Sequence, residues 1–211
     1  MSVPQGALLG MPLGVILAGG AATRMGGGDK GLCRVGDQRL LDRVIARIAP
    51  QCAGLALNAN GDPARFAEFD LAVLADSLPD RPGPLAGVLA GLDWAASQDA
   101  DAIVTVAADT PFFPRDLVAC LRAAAGPSGL SLAASRNDAG KLQRHPTFGL
   151  WPVALREDLR VALKGGLRKV VLWTDQHAAG CAEFSSLPFD PFFNINTPDD
   201  IAQAETLQRL A

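Results

Sequence analysis

Residues Ala102–Ala107 form a nearly unbroken apolar run, Ala-Ile-Val-Thr-Val-Ala, which stops just short of the carboxylate of Asp109. A strand with one wet face alternates apolar and polar side chains. A run without alternation suits a strand covered on both faces, as in a parallel sheet between two layers of helices. Gly14–Ala18 has the same character and runs straight into Gly19-Gly20. The spacing predicts further strands at Leu55–Asn58, Leu71–Leu74, Leu130–Ala134, Thr147–Trp151 and Phe192–Asn196. It predicts helices near Leu40–Ile48, Pro84–Ala96, Pro114–Ala124, Pro152–Leu163 and Leu167–Trp173. Thr197-Pro198-Asp199-Asp200 is a strong helix start, with a hydroxyl N-cap, proline at the first position and acids that complement the helix dipole. The alternation predicts a three-layer, Rossmann-like α/β fold, a mostly parallel sheet with helices on both faces. Ligands of such folds lie beyond the carboxyl ends of the strands.

The chain has 211 residues, which suggests one domain over 1–211, with residues 1–12 as a loose leader. Charged residues are 19% of the total and the net charge is −3, so an electrostatic grip on nucleic acid is not expected. The apolar N-terminal stretch lacks a basic region and is broken by Pro4 and Pro12. It is read as neither a signal peptide nor a membrane span. Cys33, Cys52, Cys120 and Cys181 show no zinc or disulfide spacing and are read as free, mostly buried thiols of a cytoplasmic protein.

The loop after the first strand reads Leu17-Ala18-Gly19-Gly20-Ala21-Ala22-Thr23-Arg24-Met25-Gly26-Gly27-Gly28-Asp29-Lys30-Gly31-Leu32. Glycines let such a chain curl and aim backbone N–H groups at an anion. Arg24 can fork onto phosphate oxygens, and Lys30 adds a point charge. Two cations with several N–H groups match a triphosphate better than a monoanion. Gly26–Gly31 formally matches GxGxxG, but it lies too far past the strand and no acid follows at the dinucleotide spacing. A P-loop is excluded because Asp29 precedes Lys30 and no Ser or Thr follows the lysine.

This loop resembles the signature loop of the molybdenum cofactor guanylyltransferases (MobA), a branch of the nucleotide-sugar pyrophosphorylase type of nucleotidyltransferase. The resemblance continues through Asn58-Ala59-Asn60, Asp76-Ser77, Pro82-Gly83-Pro84-Leu85-Ala86-Gly87, Asp109-Thr110-Pro111, His145-Pro146-Thr147 and Asn194-Ile195-Asn196-Thr197-Pro198, over residues 13 to about 205. It implies transfer of GMP from GTP to the terminal phosphate of a molybdopterin-type cofactor, with release of pyrophosphate. It also implies transient contact with cofactor-delivering proteins or molybdoenzyme chaperones. Another nucleotide such as CTP, an acceptor such as a sugar phosphate or cobinamide phosphate, or a noncatalytic binding role are the alternatives.

Asp109 ends a buried strand and could cap the next helix or hold a metal; the resemblance implies Mg²⁺. Asn194 and Asn196, two apart on the expected strand, share a face, and the resemblance makes Asn196 a second metal ligand. Leu17, Ala18, Gly19 and Gly20 are expected to bind the nucleotide; the resemblance implies that Asn58 and Asp76, which could otherwise cap loops, contact its guanosine part. Gly87, early in its helix, is expected to leave room for the ligand. His145 could line the acceptor site or be structural.

Overall fold

In the computed structural model, which describes residues 10–19, 28–78, 83–137 and 139–209, nine strands and six α-helices follow one another among the described residues. The strands are β1 (Leu13–Leu17), β2 (Arg34–Val35), β3 (Gln38–Arg39), β4 (Leu55–Asn58), β5 (Ala72–Leu74), β6 (Ala102–Ala107), β7 (Ser131–Arg136), β8 (Leu142–Pro152) and β9 (Gly180–Phe184). The helices are α1 (Leu40–Ile48), α2 (Pro84–Ser97), α3 (Leu117–Ala123), α4 (Arg156–Lys164), α5 (Val170–Gln176) and α6 (Pro198–Leu207). Seven strands form one sheet in the order β5-β4-β1-β6-β8-β7-β9, and β2 and β3 form a separate hairpin. Within the sheet only β8 runs against its neighbours β6 and β7; the other pairs are parallel. The expected fold class is therefore the one observed.

The two sides of the sheet carry separate cores. Ile16, Leu57, Val104 and Val106 pack with Leu41 and Val44 of α1 and Leu117 and Leu121 of α3. Val15 and Ile103 point the other way, into Leu85, Val88 and Leu89 of α2, Leu159 of α4 and Trp173 of α5. Neighbouring strand residues feed opposite cores because strand side chains alternate. This is why β1 and β6 are apolar apart from Thr105, whose buried hydroxyl accepts a hydrogen bond from Trp151 Nε1. From Leu85 to Leu92 every residue of α2 is buried, so that stretch has no polar face to show a period.

Three expectations need correction. Asn194–Asn196 is not part of a strand. Ile195 N–H donates to the Asp109 carbonyl at 2.9 Å, but the N–H groups of Asn196 and Thr197 go to the Asp200 carboxylate, at 2.8 and 2.9 Å, in the cap of α6. With those donors diverted, no ladder continues. Those bonds, led by the Asn196 N–H, hold the Asp200 carboxyl below the usual carboxylate range. The thiols are also less buried than expected: Cys52 is buried and pushed up to about 12 by desolvation, whereas Cys181 lies exposed on the edge strand β9. Finally, β9 itself is a strand that the sequence reading did not assign. Of the 1–12 leader, residues 1–9 lie outside the described residues, and Pro12 is tied down through its carbonyl to the Ala53 N–H at 3.0 Å.

Candidate active site

The parallel register sets the site. Leu17 of β1 lies level with Asn58 of β4 and Ala107 of β6, and Asn58 lies level with Leu74 of β5. All four strands therefore end together, and the residues that follow them meet at one edge. There they enclose a cleft of about 520 Å³, lined among others by Leu17, Gly19, Asn58, Asp76, Asp109 and Asn194. Gly20 and Arg24 lie outside the described residues.

One wall is a carboxylate held by two carboxamides. Asp76 accepts from Asn58 Nδ2 at 3.0 Å on one oxygen and from Asn60 Nδ2 at 2.8 Å on the other. Asn60 also accepts the Asp76 backbone N–H at 2.9 Å, and Asn58 donates a second bond to the Leu74 carbonyl at 3.1 Å. The Asn-Ala-Asn turn thus locks Asp76 in place while leaving it acceptor capacity, since a carboxylate has about four lone-pair positions. Gly87 serves this wall and not the open cleft. A Cβ at position 87 would fall 2.1 Å from Asn58 Oδ1 and 2.9 Å from a Leu17 methyl group. The room expected for a ligand is taken by the Asn58 side chain. Gly83, at φ +87°, turns the chain into α2 in a conformation that side-chain-bearing residues rarely adopt.

The opposite wall gathers charge. Lys30 Nζ lies 3.3 Å from Asp109 Oδ2 and also donates to Asn196 Oδ1. The other Asp109 oxygen accepts from the buried Thr110 hydroxyl at 3.2 Å, and that hydroxyl also contacts Asn194 Oδ1. Fully buried Ile195 anchors the segment in a small core with Val35, Leu40, Phe112 and Ala204. Both asparagines reach the Asp109 centre, Asn196 through Lys30 and Asn194 through Thr110, although their segment is not a strand. Ala18 is buried, and its N–H donates to the Asn58 carbonyl at 2.9 Å, so it holds two strand ends together without lining the cleft.

Sequence reasoning missed Arg65. It lines the cleft and donates to Asp29 of the glycine-rich loop at 2.6 and 3.3 Å, and to the Asn60 carbonyl at 2.7 Å. Nothing local marked it, because it lies in a short 3-10 helix, Pro63–Phe69, with charges of both signs nearby.

A second groove of about 480 Å³ adjoins the first and shares Pro84, Thr147 and Asn194 with it. Arg144, His145 and Lys169 line it. His145 stacks on Phe192 with ring centres 4.2 Å apart and hydrogen-bonds the Ser135 hydroxyl at 2.8 Å. Burial holds its pKa below the ordinary histidine value, which favours the neutral ring. His177 is elsewhere, paired with Asp158 at 2.8 Å, and the two histidines form no joint site.

The family described as the MobA-like NTP transferase domain matches residues 14–179. A molybdenum cofactor guanylyltransferase from Nitrobacter hamburgensis is 50% identical over 200 residues, covering 93% of this chain and 94% of the relative. The structure of molybdopterin-guanine dinucleotide biosynthesis protein A from Archaeoglobus fulgidus superposes with a TM-score of 0.67 at 21% identity, covering 94% and 100% of the two chains. A 4-diphosphocytidyl-2C-methyl-D-erythritol synthase from Anaerococcus prevotii gives 0.67 at 12% identity, covering 98% and 100%. At these identities the two structures speak for the fold alone.

Proposed function

Because the chain belongs to the MobA-like NTP transferase family, we propose that its cleft binds GTP and transfers GMP to the terminal phosphate of a molybdopterin-type cofactor, releasing pyrophosphate. The observation that carries this reading is the pairing of two unlike walls across one cleft. The Asp76 side offers fixed acceptors to a nucleoside, and at the same strand edge Lys30, paired with the cleft-lining Asp109, would bring positive charge to phosphates.

The chemistry asks little of the protein in acid–base terms. The acceptor phosphate is already anionic at neutral pH. One of its oxygens attacks the α-phosphorus, a new P–O bond forms, and the bond to the β-phosphate breaks with its electron pair leaving on pyrophosphate. The protein aligns the two reactants and stabilises the charge that grows on the leaving group. Lys30 supplies that stabilisation, with Arg24 of the same loop as its partner in the reading. The acceptor occupies the adjoining groove, where Lys169 and Arg144 face it and burial favours the neutral His145 ring.

Asp109 and Asn196 suit Mg²⁺. They offer a carboxylate and a carboxamide oxygen around one point, and the Lys30 ammonium already stands there as a cation between them. Hard oxygen donors in small number are what Mg²⁺ takes, since it keeps several waters. When bound, the ion supplies neutralisation of phosphate charge. Among the described residues no helix is long and apolar enough to cross a membrane, and the four unpaired thiols agree with a reducing cytoplasm. The experiment is pyrophosphate release by purified protein with Mg²⁺ and GTP. Release that requires the molybdopterin-type acceptor is the expected result. GTP binding with no turnover in its presence would favour a noncatalytic role.

A further inference from the structure

Asp29 poses an electrostatic problem for a triphosphate site. It immediately precedes Lys30 in the glycine-rich loop and lines the cleft, so its carboxylate faces the ground where phosphates would lie. Like charges in a partly desolvated cleft repel strongly. Arg65 answers this charge. Its Nε and Nη2 take the two Asp29 oxygens in a fork, at 2.6 and 3.3 Å. This is the planar pairing that arginine makes and lysine cannot.

The remaining contacts of Arg65 fix where it stands. Nη2 also donates to the Asn60 carbonyl at 2.7 Å, and Nη1 donates to the Asp62 carbonyl. The guanidinium carbon lies 4.6 Å from the centre of the Phe66 ring, and Phe66 is fully buried. Asn60 in turn holds Asp76. One side chain therefore bolts the exit of the glycine-rich loop to the turn that carries the nucleoside wall.

We infer that Arg65 is a positioning residue for nucleotide binding: it neutralises Asp29 and holds it back from the triphosphate while tying the loop to the Asn60 turn. The inference rests on the reading of the cleft as a nucleoside triphosphate site. It predicts an effect that grows with the number of phosphates on the ligand. An arginine that only shapes the nucleoside turn would affect all guanine nucleotides alike.

The test compares binding of GTP and GMP to the full-length wild type, Arg65→Gln, Asp29→Asn and the double variant. In Arg65→Gln, GTP affinity should fall at least about tenfold and GMP affinity less than about threefold. KM for GTP should rise with kcat changed far less. Adding Asp29→Asn to Arg65→Gln should recover most of the lost GTP affinity, because the uncompensated carboxylate is then gone. Equal losses for GTP and GMP would overturn the inference in favour of a purely structural arginine. No recovery in the double variant would overturn it in favour of direct phosphate contact. Failure of the wild type to prefer GTP over GMP would overturn the triphosphate reading and this inference together. A normal wild-type preference that is unchanged in Arg65→Gln would overturn the inference alone.

Discussion

Asp109→Ala is expected to reduce turnover by about 10³-fold, which corresponds to ~4 kcal/mol of transition-state stabilisation, while the protein stays folded. Asp109 follows the central strand β6, faces the cleft, and is where Lys30, Thr110 and the Asn194–Asn196 segment converge. Its backbone carbonyl, which anchors Ile195, survives the substitution. What is lost in the free protein is an ion pair whose side chains are about one-fifth exposed, and one bond from the Thr110 hydroxyl, which keeps its Asn194 contact. Their loss should cost about 1–3 kcal/mol, a shift of up to roughly 10 °C in melting temperature for a chain of this size. Turnover with Mg²⁺ and thermal melting of the same preparation check the pair of expectations. Near-normal turnover would remove Asp109 from the metal role.

Lys30→Ala is expected to cost about 10²-fold or more in kcat, again with at most that change in melting temperature. In the free protein the ammonium is held by Asp109, which lines the cleft, and by Asn196 beside it. A charge aimed at a leaving pyrophosphate strengthens as the transition state forms, and removing one such preorganised donor typically costs about 10²–10³-fold. Removing the side chain also leaves Asp109 without its cation, so part of the loss can come from a displaced carboxylate. Lys30→Arg separates the two, because it keeps the charge and changes its reach. A large drop in melting temperature with normal activity in Lys30→Ala would make the residue structural.

The sequence made the site's location legible for a physical reason. Parallel strands bring their carboxyl ends to one edge, so the loop after Leu17 and the residues Asn58, Asp76 and Asp109 had to meet once the apolar runs were read as strands. The strong Thr197 helix start was equally local and appears as a complete capping box. What stayed hidden depends on contacts between distant residues. Gly87 looked like space for a ligand, but the space belongs to Asn58, 29 positions earlier in the chain. Asn194–Asn196 has strand-like spacing, yet its N–H groups are claimed by the next helix cap. Arg65 is one of several charges in and beside a short 3-10 helix, and only the fold sets it against Asp29. The β9 strand is short, at the sheet edge, and alternates with exposed Cys181 and Glu183, so no long apolar run announced it.

Donor selectivity tests the central claim most directly. Guanine presents N1–H and N2–H₂ donors, whereas adenine presents a lone pair at N1. A pocket wall built on the fixed Asp76 carboxylate offers acceptors, which suit the first and oppose the second. An unmatched buried acceptor costs about 1–3 kcal/mol, so one such contact gives roughly ten- to hundred-fold discrimination. The measurement is kcat/KM for GTP, ATP and CTP in acceptor-dependent pyrophosphate release, with wild type and Asp76→Ala side by side. The account predicts that GTP exceeds both by at least about tenfold in wild type and that Asp76→Ala narrows the gap. Equal use of GTP and ATP, or a preference for CTP, would contradict guanylyl transfer.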